Sequence, residues 1–229
     1  MSREETIAMS GPIGIEINHD KEPIRLFKSD FLEFFTHIHP AVVLIIWVPV
    51  VVYFLVTAVR NQLSGIAGQV SGISPVYIPL GFLAGLFLWT FAEYTLHRFV
   101  FHFSPRTPWQ GKVTFLFHGI HHFQPQCKTR LVMPPAVSIP MALLFYVVFQ
   151  LILTTLLGVS HWVAPTFAGF VTGYLTYDMT HYATHHFPMR RGIWKYLKRY
   201  HMLHHYKTPD RRFGVSSPLW DIVFDTMWA

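Results

Sequence analysis

Apolar and polar positions along this chain fall into long blocks. Four blocks carry no formal charge: 41–59 "AVVLIIWVPVVVYFLVTAV", 76–92 "VYIPLGFLAGLFLWTFA", 136–157 "AVSIPMALLFYVVFQLILTTLL" and 159–177 "VSHWVAPTFAGFVTGYLTY". A helix that crosses a bilayer needs about 20 mostly apolar residues. The first and third blocks meet this alone. The second and fourth meet it by running into the polar helix that follows. The pattern therefore predicts an all-α integral membrane protein with four transmembrane helices near 41–59, 76–96, 136–157 and 159–178. The stretch "NQLSGIAGQVSGISP" joins the first pair, and the short turn "LGVSHW" makes the second pair a tight hairpin. The alternative, buried helices of a soluble protein, would need far more polar surface. The "GFLAG" stretch matches a small-residue helix-packing pattern, which is common by chance.

Composition strengthens this picture. Hydrophobic residues make up 52% of the 229 positions and charged residues only 13%, half the share of about 25% in soluble domains. The length fits a single domain, 1–229. Cys127 is the one cysteine, so no internal disulfide can form and a zinc-thiolate site is excluded. The net charge of +6 does not point to nucleic acid, because the basic residues lie between the apolar blocks. Lys21, Arg25 and Lys28 precede the first block. Arg98, Arg106, Lys112, Lys128 and Arg130 lie between the second and third, and eight more fall in 189–212. The stretch 60–75 holds only Arg60. By the positive-inside rule, both termini and 97–130 are cytosolic, with 1–40 as an N-terminal segment and 97–130 plus 181–229 as a cap. The first forty residues lack the pattern of a cleavable signal peptide. The endoplasmic reticulum and a bacterial inner membrane are both open as the host membrane.

The chemistry lies in the histidines. Eleven of the 15 form four clusters, "HRFVFH" (His97, His102), "HGIHH" (His118, His121, His122), "HYATHH" (His181, His185, His186) and "HMLHH" (His201, His204, His205). Imidazole is the commonest metal ligand, and this many rings implies more than one ion. Positions i, i+3 and i+4 share a helix face, so the members of "HGIHH" and "HMLHH" project together, as do His181 and His185. His186 lies about 140° round from His181 at 3.6 residues per turn and is set aside. His97 and His102 have the same awkward spacing. They can serve one ion only if the helix ends or bends between them, or if the ion sits at the helix end. Ten rings remain, enough for two ions with five each. Glu93 and Asp178 are the only acidic residues between positions 34 and 209. Each lies about one turn before a histidine, as a carboxylate partner for its outer N–H would. Alternatively they face lipid headgroups. The Glu-x-x-His repeats of soluble di-iron bundles, H-E-x-x-H, Gly-x-Ser-x-Gly and the P-loop are absent.

These four boxes, in this order, resemble the integral-membrane fatty acid hydroxylase superfamily, and most of all its fatty acid 2-hydroxylase branch. "EPIRLFKSDFLEFFT" (22–36) is similar to the entry segment of that branch and "FGVSSPLWDIVFDT" (213–226) to its C-terminal signature. The resemblance implies a dinuclear, all-histidine centre on the cytosolic side of four spanning helices. One ion would take His97, His102, His118, His122 and His204. The other would take His121, His181, His185, His201 and His205. Iron is the expected active metal, and zinc can fill the same sites in a purified sample. No fused cytochrome b5 domain is expected, since "HIHP" (37–40) does not continue as a haem motif. A separate electron donor of cytochrome b5 or ferredoxin type would then be needed. The basic face Arg190, Arg191, Lys195, Lys198 and Arg199 would either dock it or touch headgroups.

The implied reaction is O2-dependent hydroxylation of a long-chain fatty acyl lipid at C2, as in sphingolipid metabolism. No acid or base outside the dinuclear centre is assigned and no substrate contacts are named, although "WTFAEY" and "TGYLTY" are candidate channel walls. The acyl chain could be free, on coenzyme A or in ceramide. Hydroxylation or desaturation of a sterol or carotenoid would use the same fold. A non-catalytic metal-binding or metal-transport protein is the rival of another class, but transport favours ligands near the bilayer midplane on broken helices.

Overall fold

The computed structural model describes residues 17–64 and 72–228, and all regular structure among them is helical. In chain order the α-helices are α1 (Asp30–Phe34), α2 (Pro40–Ser64), α3 (Tyr77–Thr95), α4 (Pro108–Thr114), α5 (Ile120–Phe123), α6 (Pro135–Phe149), α7 (Val163–His186), α8 (Gly192–Tyr206) and α9 (Leu219–Val223). Three π-helical stretches extend them: Leu96–Phe101 after α3, Phe115–Gly119 between α4 and α5, and Gln150–Leu156 after α6. Of the expected N-terminal segment and the small-residue loop, residues 1–16 and 65–71 lie outside the described residues. The described residues pack as two compact units, one within 40–89 and 133–176, the other within 17–39, 90–132 and 177–228.

The first unit is built from the apolar blocks. Among the described residues three helices, Pro40–Leu63, Tyr77–Phe101 and Lys128–Leu156, are long and apolar enough to cross a membrane. Leu44, Ile45, Val52 and Val56 on α2, with Leu143, Leu144 and Val147 on α6, are exposed. Such surface suits lipid as its solvent, and the chain is a membrane protein. The fourth expected span falls in α7, which lacks this apolarity. Its position explains why. No large apolar residue of α7 is exposed, so it meets protein rather than lipid and can carry threonines. Phe167 packs on Phe54, Tyr146 and Phe149, and Phe170 packs on Trp89 and Phe145. "GFLAG" contributes to this packing: a Cβ on Gly85 would collide with the Thr166 carbonyl, and one on Gly169 with that of Phe82. Small residues here let the α3 and α7 backbones approach closely.

The second unit holds the polar segments. Thr107 caps α4 in a reciprocal box with Gln110, and Pro108 occupies the first turn, where a missing N–H costs nothing. The N-terminal segment lies along α5 and the residues after it. The Asn18 N–H donates to the Phe123 carbonyl (2.7 Å) and the Ile38 N–H to that of Thr129 (2.8 Å). Buried Gln124 accepts from the Ile24 N–H (3.1 Å) and donates to the Glu22 carbonyl (3.1 Å). Glu33 takes the Arg130 guanidinium at 2.8 Å and His37 at 2.9 Å. Burial pushes its carboxyl up, but the Phe27 N–H, His37, the Leu26 N–H and Arg130 outweigh that and hold it at about 2. Helix α8 is amphipathic, with 191–196 exposed and Leu197, Tyr200, His201, His204 and His205 buried.

Candidate metal centre

The awkward spacing of His97 and His102 is resolved by the π-turn. The His102 N–H donates to the His97 carbonyl at 3.1 Å, five residues back. A turn of this width brings residues five apart onto one face, whereas an α-helix would splay them. The second π-stretch carries His118 and ends just before α5, which bears His121 and His122. Adjacent residues on α5 point about 100° apart, so this pair diverges. Helices α7 and α8 place theirs by ordinary α spacing: His181 with His185, and His201 with His205, each pair four apart, while His204 points elsewhere.

All ten rings singled out by the sequence meet in two groups of five. One contains His97, His102, His118, His122 and His204. The other contains His121, His181, His185, His201 and His205. Within each group the ligand atoms lie within 4.8 Å of one another. In the first, His97 Nε2 lies 3.0 Å from His118 Nε2 and 3.2 Å from His102 Nε2. His118 and His122 are 3.1 Å apart, and His102 and His204 also 3.1 Å. In the second, His121 Nε2 lies 2.8 Å from His181 and 2.9 Å from His205, and His185 lies 2.9 Å from His201. The groups adjoin, since His122 stacks on His205 with centroids 4.1 Å apart. Nine of the ten residues are buried and His185 is half-buried. His186 belongs to neither group and its ring lies against Tyr182.

The tautomers of three rings are fixed from outside. Nδ1–H of His97 donates to the Phe213 carbonyl (2.5 Å), that of His204 to the Arg211 carbonyl (2.6 Å) and that of His181 to the Leu131 carbonyl (3.1 Å). Each acceptor is a carbonyl, so the proton sits on Nδ1 and Nε2 presents a lone pair inward. The sequence expectation was a carboxylate in this role at Glu93 and Asp178. Both are buried. Glu93 accepts the Val215 N–H (2.6 Å) and Ser216 N–H (2.8 Å), together with the Ser216 hydroxyl. It therefore binds the loop just beyond the Phe213 carbonyl. The sequence reading missed Asp221, which is fully buried and accepts the Phe213 N–H (2.9 Å), the Gly214 N–H (2.7 Å) and the Thr226 hydroxyl (2.7 Å). Its signal was present within "FGVSSPLWDIVFDT", a carboxylate among apolar residues.

These donors fit metal ions. With metal–nitrogen bonds of about 2.1 Å, neighbours at right angles stand about 3.0 Å apart and opposite ones about 4.2 Å, close to the spacings found. A cation would also satisfy the lone pairs: His97 and His204 both aim proton-free Nε2 atoms at His102 Nε2, and one proton there can satisfy only one. Burial first, and neighbouring rings second, hold His102, His118, His121, His122, His201 and His205 well below the ordinary histidine range. Burial brings His204 to about 4, against the Arg211 carbonyl. Neutral imidazole is the form that binds metal. Nitrogen donors of this kind suit both iron and zinc.

The other expected features divide. Trp89 of "WTFAEY" and Tyr174 of "TGYLTY" line a cavity of about 20 Å³ with Trp47, Phe145 and Phe170. Tyr94 is instead tied to Thr226 (3.1 Å) and Arg98 (2.6 Å), and Tyr177 stacks on His181. In the basic face, Arg190, Arg191, Lys195 and Arg199 are exposed. Lys198 turns inward and donates to the Thr184 (2.6 Å) and Phe187 (2.9 Å) carbonyls at the end of α7.

Comparisons with known proteins place this fold in a family. Residues 82–226 match the family model described as fatty acid hydroxylase. A dihydroceramide fatty acyl 2-hydroxylase of Arabidopsis thaliana is 39% identical, over 90% of this chain and 81% of that protein. A ceramide very long chain fatty acid hydroxylase of Schizosaccharomyces pombe is 39% identical over 86% of this chain and 53% of its own length. The fatty acid 2-hydroxylase of Mus musculus is 36% identical over 90% and 57%. The solved structure of full-length scs7p, in which only the hydroxylase domain is visible, superposes with a TM-score of 0.79 at 36% identity, covering 91% of this chain and 74% of that one. With sequence, fold and a shared family model in agreement, this chain belongs to the fatty acid hydroxylase family and is a hydroxylating oxidoreductase.

Proposed function

We propose that this protein hydroxylates the C2 position of a long-chain fatty acyl lipid of the ceramide type, using O2 and two iron ions. His97, His102, His118, His122 and His204 would hold one ion, and His121, His181, His185, His201 and His205 the other. The observation that carries the reading is the meeting of ten inward-facing histidines in two groups of five. The relatives named for ceramide and fatty acyl 2-hydroxylation support the substrate and the carbon. Iron so bound would supply the redox chemistry that activates O2, with two electrons and two protons, for hydroxylation of an unactivated C–H bond. The chain supplies the rest. The Phe213, Arg211 and Leu131 carbonyls hold protons on Nδ1 and keep Nε2 free. Burial of nine of the ten rings keeps bulk water from the reaction.

Placement in the membrane follows the charge distribution. The basic residues of 97–130 and 189–212 support a cytosolic histidine unit, with α7 as a fourth, inner crossing. Electrons would come from a separate acidic donor of cytochrome b5 or ferredoxin type, docked on Arg190, Arg191, Lys195 and Arg199. The deciding experiment is lipid profiling by mass spectrometry after expression with iron, O2 and such a donor. Ceramides carrying a 2-hydroxy acyl chain are expected. Hydroxylated sterols or carotenoids, desaturated acyl chains, or no O2-dependent product would overturn the proposal.

A further inference from the structure

Four consecutive backbone N–H groups, from Phe213 to Ser216, end on two buried carboxylates. Asp221 takes Phe213 and Gly214, and Glu93 takes Val215 and Ser216. Glu93 is 3% exposed and Asp221 0%. The loop is tight, because a Cβ on Gly214 would run into the Ser217 carbonyl. At the start of this loop lie the Arg211 and Phe213 carbonyls, the acceptors for His204 and His97. Both rings belong to the same group of five. The other group is anchored through Leu131, in a different part of the chain.

We infer that Glu93 and Asp221 are positioning residues for one metal site only, the one formed by His97, His102, His118, His122 and His204. This rests on the reading of the two groups as metal sites. Asp221 accepts the Gly214 N–H, which shares a peptide plane with the Phe213 carbonyl, and so fixes the direction of that carbonyl. The Arg211 carbonyl shares its peptide with the Arg212 N–H, which donates to the Thr226 carbonyl (3.0 Å), and the Thr226 hydroxyl donates to Asp221. Glu93 holds the next two peptides of the loop, and the two carbonyls fix the tautomer and tilt of two rings. Hydrogen bonds from N–H to a carboxylate are charge-assisted and directional. The asymmetry follows from connectivity, since the loop holds no partner of His121, His181, His185, His201 or His205 among the hydrogen bonds that orient those rings.

The test uses the full chain in nanodiscs with zinc alone, titrated against a competing chelator, so that turnover plays no part. Asp221→Asn keeps the size of the side chain. Both Asp221 oxygens accept, so an amide must turn its NH2 toward a donor. One of the two zinc affinities is expected to fall about 10- to 100-fold and the other to stay unchanged. Adding His102→Ala to Asp221→Asn should leave the strong ion in place, whereas adding His185→Ala should remove it. Asp221→Asn binding both ions with wild-type affinity, or weakening both equally, would overturn the inference. Should Asp221→Asn lose helicity by circular dichroism, the Glu93 pair decides. Glu93→Gln keeps an oxygen for the Val215 and Ser216 N–H groups and should bind as wild type, while Glu93→Ala should weaken one ion. Equal binding by both Glu93 variants would also overturn it. A wild-type chain that binds no zinc sinks the metal reading and this inference together. Two bound ions without a hydroxylated product would sink only the proposed reaction.

Discussion

The two histidine groups are alike in donors and unlike in support. In the group of His97, all five residues are buried and two rings are anchored by carbonyls of one clamped loop. In the group of His121, one ring is anchored, by the Leu131 carbonyl, and His185 is half-buried. The first is wholly buried and twice anchored. The second has one half-buried ring and, among the described residues, a single carbonyl anchor. Equal numbers of rings therefore do not make equal surroundings. What orients the rings differs between the two groups.

The largest test of this difference removes a ligand from the looser group. His121→Ala should abolish hydroxylated product and release the ion of its own group, while membrane insertion and the first group's ion persist. Lipid profiling with metal analysis checks both, and normal turnover by this variant would sink the two-site assignment. Next comes metal removal. Under a chelator the two ions should leave in separate phases, and the slow phase should be the one abolished by His102→Ala. A single phase would show that the groups are equally held.

A smaller effect should come from the N-terminal clasp. Glu33 binds Arg130, the residue before Leu131, and the Arg130 side chain is only 2% exposed. Glu33→Gln strands that charge and should cost about 3 kcal/mol of stability in chemical unfolding. It should speed release of the second group's ion and spare the first. The pH dependence has a definite sign. The Glu33 carboxyl is depressed from 4.5 to about 2, so its contribution is complete above the unfolded value and is lost as pH falls through the folded one. The variant should lack this acid limb. The smallest effect belongs to His186→Ala, with both ions retained and product within about twofold of wild type, since the ring lies on Tyr182 outside both groups. Damage equal to that of His185→Ala would put His186 back among the ligands.

Much of this was legible in the sequence because ring spacing and charge-free length are local signals. The apolar blocks predicted α2, α3 and α6 with small errors at the ends, and the helical-face argument separated His186 from its neighbours. The π-turn was not legible, since nothing in "HRFVFH" distinguishes a wide turn from a helix end. The carbonyl anchors were hidden for a deeper reason: every residue has a carbonyl, and only the folded loop selects Arg211 and Phe213. Asp221 escaped because it lies far along the chain from any histidine box. The fourth apolar block was read by composition, which cannot tell a lipid-facing helix from the inner helix that α7 is.

One feature of the histidine boxes puts a covalent limit on how far the two groups can part. His121 and His122 are neighbours in the chain and serve different groups, as are His204 and His205. Successive Cα atoms stand about 3.8 Å apart across a trans peptide. Two such steps, on two separate helices, act as paired rulers between the groups. Thermal breathing or a loosened core can tilt a ring, but it cannot stretch a peptide bond. The two groups are thus tied at two places by a single peptide step, which caps how far they can part, and that cap should survive changes in lipid thickness or temperature that shift the packing around it.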